Sequence, residues 1–328
     1  MLEPGISNFI CQKGYIVASH FADRLCEAVQ KKNTPLIVGI DPVYARLPQA
    51  IRARQKSRQK DLAVEIDALF EFSAKVVKIV APLVPAVKIN IGYFERYFWE
   101  GIETYYALVS EAEAQGVEII GDVKRGDVGH TAQCYAEAHL QNPEFVGMED
   151  IISPDAVTIN GFAGAEGIVP FADVANDQGK GVFVWVRASN PTAGAIQDFA
   201  DAAGVKMYEK IAEVVGEIAS QPKRLGQQGY SNVGMIVGGT SPEQTIVLRQ
   251  RYPKCWFLVP GFGAQGAGAA ECLRFADKNG MGVLVNASRS IIYAYDNTKY
   301  TEQFGEDWEK CIEQAAIDAK MELARART

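Results

Sequence analysis

The densest run of chemistry-bearing residues is Gly121-Asp122-Val123-Lys124-Arg125-Gly126-Asp127, followed by Val128-Gly129-His130-Thr131. It continues an apolar run, Val117-Glu118-Ile119-Ile120, that reads as a buried strand. Strand alternation puts Asp122 and Lys124 on one side and Val123 on the other. Gly126 frees the backbone to turn before Asp127. The pattern predicts an ammonium between two carboxylates at the mouth of a strand. Two carboxylates beside one lysine favour the charged ammonium, whereas a Schiff-base lysine must lose its proton to act as a nucleophile. Lys124 therefore reads as an acid or a cationic stabiliser, not as an aldolase nucleophile. A purely structural ion-pair network is the blander alternative, but such networks rarely interrupt an otherwise apolar strand.

A second group lies further along the chain. Pro260-Gly261-Phe262-Gly263-Ala264-Gln265-Gly266-Ala267-Gly268 is glycine-rich and leads into helical spacing. Bare backbone N–H groups at a helix start favour a phosphate. Arg289, just past the last apolar run, can grip the same anion with two parallel hydrogen bonds. A phosphate ester is the expected ligand. Polar residues also end other apolar runs: Asp41, Lys88, Asn160, Ser189 and Gly238-Gly239-Thr240. Lys88 is a charge inside such a run, which is costly unless it is paired or functional. No metal is expected. His130 and Cys134 could share a helix face, but nothing is spaced to complete a site with them. Neither a Gly-x-Ser-x-Gly elbow nor a nucleophilic-cysteine signature is present.

These residues must be positioned by eight apolar strand candidates. They are Leu36–Ile40, Ala86–Ile91, the run into Asp122, Ala156–Gly161, Gly181–Ser189, Val233–Gly238, Trp256–Gly261 and Gly282–Ala287. Helical spacing separates them, at Asp61–Val80, Glu103–Gln115, Thr131–Leu140, Met207–Ile218 and Ala269–Lys278. Phe21–Lys32 precedes the first strand, and an amphipathic helix at about 304–325 closes the chain. Alternating strands and helices imply a parallel sheet, and eight strands imply a closed (β/α)8 barrel of the TIM type. A doubly wound sheet is the weaker reading, because no Gly-x-Gly-x-x-Gly follows the first strand. The barrel is expected to form one domain over residues 1–328, with its core at about 36–293 and an N-terminal lead-in at 1–35. A basic stretch at 46–60 and a loop at 141–155 are insertions without an assigned role.

Composition narrows the partners. Hydrophobic residues make up 48% of the chain, ample for a core, and the net charge of −7 argues against a nucleic-acid or membrane surface. Met1 to Tyr15 has neither the basic start nor the apolar core of a signal peptide. No apolar run approaches the roughly 20 residues of a membrane span. The six cysteines (Cys11, Cys26, Cys134, Cys255, Cys272 and Cys311) are scattered singly, as suits reduced thiols in a cytoplasm.

The Asp-x-Lys-x-x-Asp of Asp122, Lys124 and Asp127, with Thr131 four further on, resembles the signature of the orotidine 5′-phosphate decarboxylase family. The likeness extends through Gly39-Ile40-Asp41-Pro42, Lys88-Ile89-Asn90, Ser189-Asn190-Pro191, the loop at 260–266 and Ser288-Arg289, over residues 36 to 293. The Ser-Asn-Pro and Asn-Ala-Ser-Arg segments look like the longer, bacterial-type branch. Ser288 stands where compact members usually have glycine. The resemblance implies cofactor-free, metal-free decarboxylation of orotidine 5′-monophosphate to uridine 5′-monophosphate in pyrimidine biosynthesis. It implies that Lys124 donates the proton, that Asp122 lies beside the departing carboxylate, and that Lys88 pairs with Asp122 and contacts the ribose. It further implies that Asp41 holds a ribose hydroxyl, that Ser189 bonds the pyrimidine, and that Gln265, Arg289 and the Gly263 loop grip the phosphate. Asp127 and Thr131 would enter the site of a neighbouring subunit, making a homodimer with shared active sites. A related magnesium-dependent decarboxylase of keto-sugar phosphates normally carries a glutamate on its second strand, where this chain has Lys88 and Asn90. A non-catalytic nucleotide sensor would have little reason to keep Lys124 between two acids.

Overall fold

The computed structural model describes residues 19–53, 61–241, 243–263 and 266–327. Eight parallel strands close into a barrel in sequence order: β1 (Leu36–Ile40), β2 (Ala86–Asn90), β3 (Glu118–Arg125), β4 (Ala156–Asn160), β5 (Gly181–Arg187), β6 (Val233–Val237), β7 (Phe257–Pro260) and β8 (Val283–Ala287). Closure is made by β1 against β8, with Leu36 opposite Val285 and Val38 opposite Ala287. Parallel neighbours need long crossovers, and helices supply them, among them Leu62–Val80, Phe98–Ala114, Gly129–Leu140, Ala165–Asp177 and Met207–Ala219. The (β/α)8 architecture expected from the alternation is the one observed.

Period-two alternation divides each strand between two cores. Outward residues such as Val38, Val87, Ile119 and Val123 pack under the helices. Inward residues Ile37, Ala86, Ile120, Ala156, Phe183 and Leu284 fill the lower barrel. Two residues further along the same strands the inward side chains turn polar: Lys88 after Ala86, Asp122 after Ile120, Thr158 after Ala156 and Asn286 after Leu284. The barrel is therefore apolar at its base and polar towards the carboxyl ends of its strands. Gly39 on β1 keeps that upper layer open, since a Cβ there would stand 2.9 Å from that of Ser288.

The helix Phe21–Lys32 seals the base. Phe21, Ala22, Leu25, Cys26 and Val29 form its buried stripe. The His20 ring accepts the Ala22 N–H at 3.2 Å, and Asn33 ends the helix at φ 50°. Phe21 packs edge-on against Phe183, with ring centroids 6.2 Å apart. From the same helix, Arg24 donates to Glu118 at 3.1 Å and to Asp155 at 2.7 Å. The lead-in is thus the floor of the barrel; its first eighteen residues lie outside the described part.

Two helices differ from their expected extents, the one before β3 starting at Phe98 rather than Glu103. The one after β7 stops at Leu273 rather than Lys278, because the Asp277 carboxylate takes the N–H groups of Asn279 and Met281 and folds the chain into a turn. The closing helix runs Trp308–Ala326, near its expected extent, and a separate short helix, Thr298–Phe304, precedes it across Gly305 at φ 61°. The loop at 141–155 is held by Lys180, whose ammonium donates to Ser153 O at 3.0 Å and Asn142 Oδ1 at 3.2 Å. In the basic stretch Arg46 pairs with Asp296 at 2.7 Å and lies 3.7 Å from the Tyr293 ring centroid; residues 54–60 are outside the described part.

Phe21 is 1% exposed, so Phe21→Ala should cost about 3–5 kcal/mol of stability. Guanidinium unfolding checks this, and a loss below about 1 kcal/mol would mean that the helix is not a structural plug.

Candidate active site

β3 supplies the centre of the site. Asp122 is only 6% exposed, a burial that an unpaired carboxylate does not tolerate as an anion. Three neighbours satisfy it. Lys88, from β2, donates to Oδ2 at 2.5 Å. Lys124 donates to Oδ1, and Thr158 from β4 donates to the same oxygen at 2.8 Å. Burial pushes the Asp122 carboxyl up, but the charges of Lys88 and Lys124 outweigh it and hold it well below the usual carboxylate range. Burial likewise works to lower Lys88, and the charges of Asp122 and Asp41 overcome it, keeping the ammonium above its ordinary range. The Lys88–Asp122 pair is ionised at neutral pH.

Lys124 reaches this centre from an irregular backbone. The β3–β4 register passes from Gly121 opposite Val157 to Arg125 opposite Ile159, four steps on one strand against two on the other. Lys124 has φ 45°, a left-handed conformation that costs a non-glycine residue about 1–3 kcal/mol. Its N–H is bonded to Thr158 Oγ1 at 3.2 Å. Asp122 and Lys124 do face the same cavity, as alternation predicted, but the lysine gets there through a bulge. The expected second carboxylate is not beside it. Asp127 Oδ1 accepts the Val128 N–H at 2.7 Å, and Asp127 does not line the cavity. Asp127 lies in the short link between the end of β3 at Arg125 and the helix that starts at Gly129.

Above the cluster opens a cavity of about 410 Å³, large enough for a small ligand. Asp41, Ser189 and Arg289 line it with Lys88, Asp122 and Lys124. Asp41 Oδ2 accepts the Ser288 hydroxyl at 2.5 Å, while the buried Oδ1 has no partner among the described residues. The Tyr293 hydroxyl donates to Asp41 O and accepts the Val43 N–H, both at 2.8 Å, and so clips the turn after β1. Asn286 Oδ1 is also buried and has no partner among the described residues. Two unsatisfied acceptors at one cavity suit the hydroxyls of a sugar.

Arg289 is exposed at the rim, at the start of the short helix Arg289–Ile292. The glycine-rich loop after β7 is less open than its composition implied. The Gly263 N–H is spent on Ala267 O at 3.1 Å, and Gly263 itself, at φ 71°, lies outside the cavity lining. Gln265 lies outside the described residues. Asn160 caps the Phe162 N–H at 2.9 Å rather than facing the cavity, and Thr240 supports Ser189 by donating to its carbonyl at 2.8 Å. Thr131 is exposed on the helix Gly129–Leu140, away from the cavity. No cluster of three or more His, Cys, Asp or Glu that could hold a metal occurs among the described residues. Sequence reasoning missed Thr158 and Asn286; each stands two residues beyond an inward apolar residue, and that period was the available signal.

The family model described as Orotidine 5′-phosphate decarboxylase / HUMPS family matches residues 34–304. The chain belongs to this family. An orotidine 5′-phosphate decarboxylase of Rhodopirellula baltica is 34% identical over 304 residues, covering 92% of this chain and 98% of the relative. One from Caldicellulosiruptor bescii is 36% identical over 288 residues, covering 86% and 92%. Among solved structures, the OMP decarboxylase of Leishmania donovani superposes with a TM-score of 0.66 at 27% identity, covering 94% of this chain and 99% of that one. The family match begins at the edge of β1 and runs past Arg289, so it takes in every residue of the charged cluster.

Lys88→Met should cost about 3–5 kcal/mol at pH 7, because it leaves Asp122 buried with one ammonium fewer. A carboxyl whose folded value is depressed stabilises above its unfolded value, about 3.9, and loses that contribution as pH falls. The gap between wild type and variant should therefore narrow below about pH 4. Chemical unfolding at neutral and acidic pH tests this, and a pH-independent gap would count against the ionised pair.

Proposed function

We propose that this chain decarboxylates orotidine 5′-monophosphate to uridine 5′-monophosphate in pyrimidine biosynthesis, with Lys124 as the proton donor. The observation that carries the reading is the buried Asp122 anion held between Lys88 and Lys124 at the floor of a cavity with Arg289 at its rim. Family membership and the named relatives support the reaction.

The chemistry follows from the charges. The bond between C6 and the carboxylate breaks, CO₂ leaves, and the electron pair remains in the ring plane, where the π system cannot absorb it. A fixed ammonium stabilises that pair electrostatically and then delivers its proton to C6, and solvent restores the proton to the lysine. Asp122, ionised beside the departing carboxylate, favours its loss by repulsion. Asp41 and Lys88 take the ribose and Ser189 the pyrimidine. Arg289 and Gln265 take the phosphate, with Gly263 shaping the loop turn. Phosphate binding, remote from C6, supplies energy for ordering the reacting ring. No cofactor or metal is required by this route.

The working unit in this reading is a homodimer, with Asp127 and Thr131 serving the partner's cavity. Both lie outside their own cavity, next to exposed apolar side chains that a partner would cover. Val128 and Tyr135 flank them in the chain, and Phe162 (74% exposed) follows the neighbouring strand β4. No described helix is long and apolar enough to cross a membrane, which fits a cytoplasmic enzyme.

The purified protein should consume orotidine 5′-monophosphate, followed by its ultraviolet absorbance, at the same rate with and without EDTA. Lys124→Ala should lower kcat by at least about a thousandfold while remaining folded; substantial retained activity would remove its role, and EDTA-sensitive loss would remove the metal-free route. Mixing Lys124→Ala with Asp127→Ala should restore up to about a quarter of wild-type activity through hybrid dimers, each with one site free of both substitutions. No recovery despite demonstrated subunit exchange would argue for sites built within single chains.

A further inference from the structure

Thr158 is completely buried on β4 and carries one hydroxyl with two partners. It donates to Asp122 Oδ1 at 2.8 Å and accepts the Lys124 backbone N–H at 3.2 Å. The bulge explains why the second bond matters. On β4 the flanking residues Val157 and Ile159 pair with Gly121 and Arg125. The surplus residues of β3, Lys124 among them, lie between those two pairings. A backbone N–H left without a ladder partner needs another acceptor, and the Thr158 hydroxyl is that acceptor. The same oxygen's hydrogen is directed at the carboxylate that the Lys124 ammonium also binds. One hydroxyl thus ties together the two ends of the lysine, its strained backbone at φ 45° and the anion that anchors its amine.

We propose that Thr158 is a positioning residue for the decarboxylation, locking the left-handed Lys124 backbone and the Asp122 carboxylate into one geometry so that the ammonium is aimed at C6. The inference rests on the assignment of Lys124 as proton donor. A hydroxyl is required because it donates and accepts at once. Valine has the same shape and can do neither. Serine keeps both bonds and loses only a methyl group. Without the tether Lys124 can relax towards an unstrained φ, which swings the ammonium away from the reacting carbon, and small misplacements of a catalytic group are costly.

The test compares wild type, Thr158→Val and Thr158→Ser with orotidine 5′-monophosphate as substrate and uridine 5′-monophosphate as binding probe, alongside thermal melting. In Thr158→Val, kcat should fall roughly 10- to 100-fold, with KM and product affinity within about threefold of wild type. Thr158→Ser should recover kcat to within about threefold of wild type, a rescue that a packing role of the methyl group would not produce. If Thr158→Val does not fold, Thr158→Cys takes its place, since a thiol is a weak donor and acceptor. Unchanged kcat in the folded variant, equal impairment of the serine variant, or a loss confined to KM would each overturn the proposal. A wild-type protein inert towards orotidine 5′-monophosphate would instead overturn the functional reading, and this one with it.

Discussion

A single buried anion organises the upper half of this barrel. Asp122 is out of water, and a carboxylate there persists only if its lost hydration is replaced by charge and hydrogen bonds. Lys88 and Thr158 come from the strands on either side of β3, and Lys124 from two residues along it. Each partner must project inward at nearly the same height, which fixes the register of three neighbouring strands. The requirement also runs the other way. Without Asp122 the buried Lys88 would hold a positive charge with no counter-ion in contact, and Lys124 would have no anchor for its amine. The cluster is a mutual arrangement rather than a set of separately placed groups, and such arrangements fail as units when one member is removed.

The same strand carries a second charged group at its other end. Glu118 opens β3 at the base, where Arg24 binds both of its oxygens. Burial and the neighbouring Asp155 push Glu118 above the usual carboxylate range, against the pull of Arg24. β3 thus has an acid held firmly ionised at its functional end and an acid shifted upwards at its structural end. The difference follows from the cations: two ammonium groups face Asp122, while one guanidinium is divided between Glu118 and Asp155. Between them lies the apolar layer of Ile120, Ala86, Ala156 and Phe183, which keeps water from joining the two. The N-terminal helix completes this separation by filling the base with Phe21, and so leaves the carboxyl ends of the strands free for ligand binding.

The site also draws on local strain. Lys124 adopts a backbone conformation that disfavours side chains, and the bonds around it offset the cost. Asp41 is clipped by Tyr293 through its carbonyl and by Ser288 through its carboxylate, which leaves its remaining oxygen without a partner among the described residues. Both are cases of a polar group held ready by bonds made elsewhere, which lowers the reorganisation needed when a charged ligand arrives.

Local pattern alone determined the alternation of strands and helices, the (β/α)8 class, the extent of Phe21–Lys32 and several of the polar residues that line the cavity, including Asp41, Lys88, Asp122, Lys124, Ser189 and Arg289. These were legible because period-two alternation and the burial of a charge are properties of short segments. The likeness to the decarboxylase family added roles to those residues, which spacing alone did not assign. Other features needed the folded chain. Thr158 and Asn286 stand in period with the inward Ala156 and Leu284, but only the closed barrel shows that this face opens onto the cavity. Helical and turn propensities did not foresee the stop at Leu273, where the Asp277 carboxylate competes for backbone N–H groups. Asp127 turns its carboxylate to the Val128 N–H instead of the cavity, and the Gly263 N–H is taken up inside its own loop. Both outcomes depend on the path of the backbone, which a list of residue types does not contain. The bulge that gives Lys124 its geometry is likewise a relation between two strands, decided when β3 and β4 pair.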